Sequence, residues 1–211
     1  MNLSEFHNLV SVSLNRGSTL DTKIPAMVGL AAQWLERNYT FKYMERFKLI
    51  QVVAGDRTIV LPLNVVIKGM KFLRFIGSDG GYSYIKKIEP EDAVGVGQQL
   101  DSNNIPSSYW IVGTTTLVFS GVPTQELNGE AMWYEYTDWP KEPASTNFLL
   151  QTGSDVLLAQ TLLNMSAFVT RDIRMVQGYK AMRDEGVNTL TRAADETAYA
   201  GESLAMQYRP A

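Results

Sequence analysis

The chain has 211 residues, of which 45% are hydrophobic and 19% charged, and a formal net charge of −3. That balance supports a buried core and excludes a disordered chain; without a basic excess, a single subunit is not expected to grip DNA directly. There are no cysteines, which removes disulfides, thiol nucleophiles and thiolate-bound metals and fits a reducing cytosol.

Leu3, Phe6, Val10 and Leu14 recur at helical spacing, and Arg16-Gly17-Ser18 ends this first predicted helix. Glu5 and the missing basic leader argue against a signal peptide. Asp21 is the expected cap of a second helix, with Pro25 in its first turn and Ile24, Met27, Ala31, Trp34 and Leu35 on its apolar face. Glu36-Arg37-Asn38 closes it.

The period then shortens. FKLIQVV, AGD and RTIVLPL read as a hairpin turning at Gly55-Asp56. NVVIKGMKFLRFIG continues as a strand with Met70, Phe72 and Arg74 on one face and Lys71, Leu73 and Phe75 on the other. Apolar groups on both faces predict cover on both sides. SDGGYSYIKKI adds a Gly-Gly turn and a short strand. In EPEDAVGVGQQL, Pro90 starts a helical turn whose dipole suits Glu91 and Asp92. Tyr109 to Val112 and Thr116 to Phe119 form a second hairpin around Gly113-Thr114, and GEAMWYEYTDW supplies a last, aromatic strand.

After PKEPAST the helical period returns. Ser154 or Asp155 caps a helix through Phe168, with Val156, Ala159, Leu163 and Ala167 at near-helical intervals. Arg171-Asp172 marks a break. Met175, Tyr179, Met182, Gly186, Leu190, Ala193 and Thr197 then form a sustained stripe on a long helix. Gly178 and Gly186, each costing about 1 kcal/mol relative to alanine, are expected at close approaches or bends. GESLAMQYRPA has no period and reads as an extended tail. No apolar run reaches the roughly 18 residues of a membrane span.

Helices segregated from strands argue an α+β fold. The expected organisation is a helical bundle from residues 1–45 and 145–200, an inserted antiparallel β module at 46–144, and an extended C-terminal tail at 201–211.

Little in this chain suggests chemistry. His7 is the only histidine, no Gly-x-Ser-x-Gly motif supplies a nucleophile for it, and a surface or half-buried role is expected. Glu89, Glu91 and Asp92 cluster, but without the spaced array of a calcium loop. Gly95-x-Gly97 falls at a helix end, which makes it a poor nucleotide loop. No catalytic residue, cofactor or metal site is expected. Trp133, Tyr134, Tyr136 and Trp139 would suit a stacking platform for bases or sugars, and a carbohydrate- or ligand-binding β module flanked by helices is the alternative reading. The aromatics Tyr109, Trp110, Phe119, Trp133 and Tyr136 are the candidate interface residues of the β module, to be buried against a neighbour or in the module's own core. The mixed charges of RDIR and YKAMRDEG read as a solvated helix face and would also suit salt bridges between subunits.

Several features then line up in order. LPLNVVIKGMKF follows two N-terminal helices; IPSSYWIVGTTTLVFSGVP and MWYEYTDWP follow it; TNFLLQTGSDVLLAQTLLNMSAFVTRDIRMVQGYKAMRDEGVNTL gives a helix, an Arg-Asp break and a second helix. This succession resembles the head-to-tail adaptor (connector) proteins of short-tailed bacteriophages, from about Leu3 to Leu190. The resemblance implies a structural virion protein made in the host bacterial cytoplasm and located at the portal vertex. It implies a homo-oligomeric ring, a dodecamer, that docks under the portal protein and carries the tail nozzle or tail tube. DNA would pass through the lumen without sequence-specific binding. By the same analogy the tail docks on the portal through Leu204, Met206, Gln207, Tyr208 and Arg209, residue types suited to an interface. A ring needs two different complementary patches on each subunit, and a mildly acidic lumen would let phosphates slide past.

Overall fold

The computed structural model describes residues 1–14, 20–61, 66–77, 80–95, 99–101, 103–169 and 173–200. They divide into two compact units. One joins Met1–Tyr43 to the described residues from Asp138 on; the other is Met44–Thr137. The expected tail residues Leu204, Met206, Gln207, Tyr208 and Arg209, and the Arg171-Asp172 break, lie outside the described residues.

The first unit is helical. Its α1, Leu3–Leu14, buries Leu3, Phe6 and Val10, as the stripe requires. Its start is held by a reciprocal pair: the Asn2 backbone N–H donates to Glu5 Oε2 at 2.9 Å, and the Glu5 N–H returns a bond to Asn2 Oδ1 at 2.9 Å, the geometry of a capping box. Helix α2, Ile24–Asn38, buries Ile24, Val28, Ala31, Ala32 and Leu35. Asp21 does not cap it. The residue sits in a separate 3₁₀ turn, Asp21–Lys23, where its Oδ1 accepts a hydrogen bond from Ser11 Oγ at 2.7 Å.

A short α3, Phe148–Gln151, is capped by Asn147, whose side chain accepts from the Leu150 N–H at 3.0 Å. Helix α4, Ser154–Val169, follows. Its first bond runs from the Leu157 N–H to the Gly153 carbonyl at 3.0 Å, so Gly153 takes the place expected of Ser154 or Asp155. Val156, Leu157, Ala159, Leu162 and Met165 are all buried on α4. They occupy several sides of the helix, the pattern of a central element, and α1, α2 and α3 all pack against it.

Helix α5, Ile173–Ala200, also packs on α4. Gly186 is a true close approach, because a Cβ there would stand 2.5 Å from Val156 Cγ2; at Gly178 a Cβ would meet nothing within 4 Å. The expected stripe holds at Gly186, which is buried, but not in the first half of the helix, where Met175 and Met182 are about half exposed; Val187, outside the stripe, is buried as well. Arg183 turns inward instead. Its side chain is 11% exposed, its Nη1 donates to Gln160 Oε1 at 3.1 Å, and its guanidinium lies 4.6 Å from the Trp34 ring centre. A planar cation on an indole face with a hydrogen-bonded edge can replace an apolar residue in such a seam.

The second unit is a β sandwich. Its strands are β1 (Glu45–Val52), β2 (Thr58–Val60), β3 (Ile67–Ile76), β4 (Tyr82–Tyr84), β5 (Lys86–Lys87), β6 (Ser108–Val112), β7 (Thr116–Phe119) and β8 (Leu127–Glu135). One sheet has the order β1-β8-β3-β4 and the other β2-β7-β6-β5. All pairs are antiparallel except β5 with β6, which is parallel.

The expected hairpin between β1 and β2 does not form. A turn is present, with Gly55 at φ +87°, but β1 pairs with β8 and β2 pairs with β7. The turn passes the chain from one sheet to the other, anchored by the Gly55 N–H on the Pro123 carbonyl at 2.8 Å. The hairpin of β6 and β7 does form, with Gly113 at φ +66°, a conformation that favours glycine.

Between the sheets lies one core. Ile50, Val52, Leu73, Phe75, Ala131 and Trp133 come from the first sheet, and Tyr109, Leu117 and Phe119 from the second. Phe75 and Phe119 meet edge to face at 5.6 Å. Strand β3 is covered on this side only: Leu73 and Phe75 are buried, while Phe72 and Arg74 on the opposite side are half-exposed. A register shift between Met70 and Phe72 returns Met70 to the core side, where it packs on the cluster.

Candidate interaction surface

Strand alternation decides which aromatics of the β unit reach its surface. In β6, Tyr109 and Ile111 point into the core and Trp110 points out; in β7, Leu117 and Phe119 point in. Tyr109 is 2% exposed, Phe119 fully buried and Trp133 3% exposed. Of the two uses expected of these rings, a neighbour or the unit's own core, the structure places Tyr109, Phe119 and Trp133 in the core. The indole N–H of Trp133 donates to Glu135 Oε2 at 3.2 Å, the partner a buried indole requires.

Trp110 and Tyr136 remain accessible. The Arg57 guanidinium lies 5.2 Å from the Trp110 ring centre, and its Nε donates to the Phe119 carbonyl at 2.6 Å. Arg57 thereby ties the outer side of the second sheet to its own backbone. Tyr136 is 37% exposed, with the Lys68 ammonium 6.0 Å from its ring centre.

The expected stacking platform is not assembled. Trp133 faces the core, Tyr134 the opposite side of the sheet, and Trp139 belongs to the helical unit. Tyr134 is tied into a polar group at the sheet surface: its hydroxyl donates to Glu45 Oε1 at 3.2 Å, and Lys71 Nζ reaches the same oxygen at 2.7 Å. The Glu45 hydrogen bond raises the Lys71 pKa.

Sequence reasoning missed the outer side of the first sheet. Arg74 is its centre. Its guanidinium donates from Nε to Glu130 Oε2 at 2.7 Å, makes a second bond from Nη2 to the same oxygen, and gives Nη1 to the Tyr84 hydroxyl at 3.0 Å. The Tyr82 ring stacks on it at 3.9 Å and the Phe72 ring lies at 5.0 Å. Around this cluster, Phe47, Leu49, Ile76, Tyr82 and Tyr84 are all exposed. One sign was available in the sequence. In β1, Phe47 and Leu49 alternate with Ile50 and Val52 so that both sides of the strand carry large apolar groups.

His7 lines a groove of about 420 Å³ with Ser4, Pro25, Trp139 and Pro143. Its Nε2 is buried and has no hydrogen-bond partner among the described residues, so Ser4 does not engage it. Burial lowers its pKa below 6.5. Near Glu89 and Asp92, the chain forms a 3₁₀ turn at Asp92–Gly95, and Lys87 Nζ stands 4.0 Å from Glu89 Oε1. Among the described residues no three histidines or carboxylates gather around a metal position, and no helix is long and apolar enough to cross a membrane.

Tyr109 supplies a test of the interior. Burial pushes its phenol up to about 12. Its folded pKa is thus raised above the unfolded value of about 10. The linked stability is fully present below pH ~10 and is lost as the pH rises through the folded pKa. Tyr109→Phe should lack that component of alkaline destabilisation. Urea midpoints of the two proteins, compared across this window, check it; a parallel fall in both would refute the assignment.

The model of the SU10 adaptor protein family matches residues 1–206. The chain belongs to that family, a family of structural phage proteins, and the likeness to head-to-tail adaptors read from the sequence is borne out. No curated protein matches the chain significantly.

Proposed function

We propose that this member of the SU10 adaptor family forms a closed ring at the portal vertex, docking under the portal protein and carrying the tail nozzle or tail tube on its other side. The family match across residues 1–206 carries this reading. The ring is expected to be a dodecamer, with DNA crossing its lumen without sequence-specific contact. A net charge of −3 supports passage, since a basic lumen would retain phosphates. Residues 201–211 are the portal-docking arm, with Leu204, Met206, Gln207, Tyr208 and Arg209 as anchors. Trp110 and Tyr136 are the interface candidates whose rings stay accessible on the β unit.

Two measurements test the reading. Electron cryomicroscopy of the virion vertex should locate the protein in a ring between portal and tail; density elsewhere would overturn it. Truncation after Ala200 should leave the thermal transition of the chain unchanged and abolish its co-sedimentation with purified portal rings. If the truncated chain cannot fold, the arm assignment is wrong.

A further inference from the structure

The β unit carries two unlike apolar surfaces, one on each outer side of the sandwich. The side formed by β1, β8, β3 and β4 is the aromatic one. Phe47, Leu49, Ile76, Tyr82 and Tyr84 are each between 40% and 69% exposed there. Aromatic side chains carry about 150–250 Å² each, so the group presents on the order of 500 Å², near the top of the ~300–600 Å² of the largest patch on a typical monomer. With the half-buried Phe72, Met132 and Arg74, it approaches the ~800 Å² that each partner contributes to a standard interface.

The side formed by β2, β7, β6 and β5 is smoother. Val60 and Val112 are 55% and 51% exposed, and register places them beside Thr116, with Val118 and Trp110 adjacent. These are mostly β-branched side chains on a pleated surface. Because the core lies between the sheets, the two surfaces point in opposite directions.

Their charges narrow the choice of occupant. On the aromatic side Arg74 is bound to Glu130 and Lys71 to Glu45. On the other, Arg57 is held by the Phe119 carbonyl and the Trp110 ring, and the exposed Lys86 stands at the β5 edge, opposite Ser108. Cations tied down in this way fit a neutral protein surface better than a phosphate backbone. Two different, largely apolar patches facing opposite ways on one subunit are what a head-to-tail contact between identical copies requires.

We propose that the aromatic face of one copy seats on the β-branched face of the next, with Leu49, Tyr82 and Tyr84 of one sandwich covering Val60, Trp110 and Val112 of its neighbour. This rests on the ring reading above and gives that ring one of its subunit contacts.

The absence of native cysteine makes a direct test available. Full-length chains carrying Leu49→Cys and Val112→Cys are mixed and oxidised, with Glu142→Cys, on an exposed position of the helical unit, as the random-collision control. Mixed disulfide dimers should exceed either homodimer by about tenfold, the ratio a preference of ~1.4 kcal/mol produces. A chain carrying both cysteines should give a ladder of higher species. Leu49→Glu and Val112→Glu should each leave the thermal transition unchanged and prevent ring closure in electron micrographs.

Leu49→Cys homodimers in excess would mean that two aromatic faces meet, and would overturn the proposal. Cross-linking no greater than the control would mean that a different protein covers the face, and would overturn it as well. Rings that form without the mixed disulfide would sink the face pairing and leave the ring reading standing. Chains that form neither rings nor mixed disulfides would sink both.

Discussion

Phe75→Ala is expected to destabilise the β unit by about 3–5 kcal/mol, the range for deleting a buried phenylalanine ring. Phe75 is fully buried and stands where the two sheets meet, edge to face with Phe119 at 5.6 Å and an interplanar angle of 62°. The alanine side chain cannot reach across the sandwich, and a close-packed interior relaxes only partly into the space left. Domain stabilities are about 5–15 kcal/mol, so the variant should sit at or near unfolding at 25 °C. The measurement is a urea titration followed by intrinsic tryptophan fluorescence, to which Trp133 of this core contributes. Phe119→Ala should have a similar effect. In the double variant the two losses should fall short of additivity by about 0.5–1.5 kcal/mol, the extra worth of an aromatic pair. Strict additivity would show that the rings pack independently.

Gly129→Ala should cost about 2–3 kcal/mol although it adds a single methyl group. Gly129 lies in β8 opposite Phe75 of β3. A Cβ there would stand 2.4 Å from the Arg74 carbonyl oxygen and 2.5 Å from Phe75 Cδ1. The ring can tilt, but the backbone oxygen belongs to the ladder and cannot move without breaking it. Alanine ordinarily gains about 0.5–1 kcal/mol over glycine in a strand; the clash exceeds that gain and fixes the sign. The missing Cβ thus makes the slot that Phe75 fills. Phe75→Leu in the Gly129→Ala background should recover part of the loss, whereas in the native background it should only destabilise. A urea midpoint for Gly129→Ala equal to or above that of the native chain would disprove the slot.

Much of the helical unit was legible because its signal is local. The Leu3, Phe6 and Val10 stripe and the Ile24, Ala31 and Leu35 stripe each reappear as buried faces. In α5 the same reasoning chose Met175 and Met182 over Arg183. Hydrophobicity alone cannot anticipate a cation held by Trp34 and Gln160, two side chains distant in sequence.

In the β unit, alternation identified strands but not their partners. Adjacent strands joined by a glycine turn read as a hairpin, and β6 with β7 is one. β1 and β2 share that signature and part into different sheets, because their hydrogen-bonding partners β8 and β7 lie far along the chain. The candidate site suffered from the same ambiguity. Tyr109, Phe119 and Trp133 are aromatic enough for an interface, and only the pairing shows that they face inward. Phe47 and Leu49 look like core residues, and only the topology shows that they face outward.

The β unit interrupts the helical one. Helix α4, on which α1 and α2 pack, begins at Ser154, after the whole of Met44–Thr137 has been made. On a ribosome adding about 5–20 residues per second, α1 and α2 wait several seconds without α4, the helix on which both pack. The sandwich does not wait: its terminal strands β1 and β8 are hydrogen-bonded to each other, Glu45 opposite Tyr134, so it can close as soon as β8 has emerged. The nascent chain therefore matures from the middle outwards, and its first helices are the segment most in need of a chaperone during synthesis.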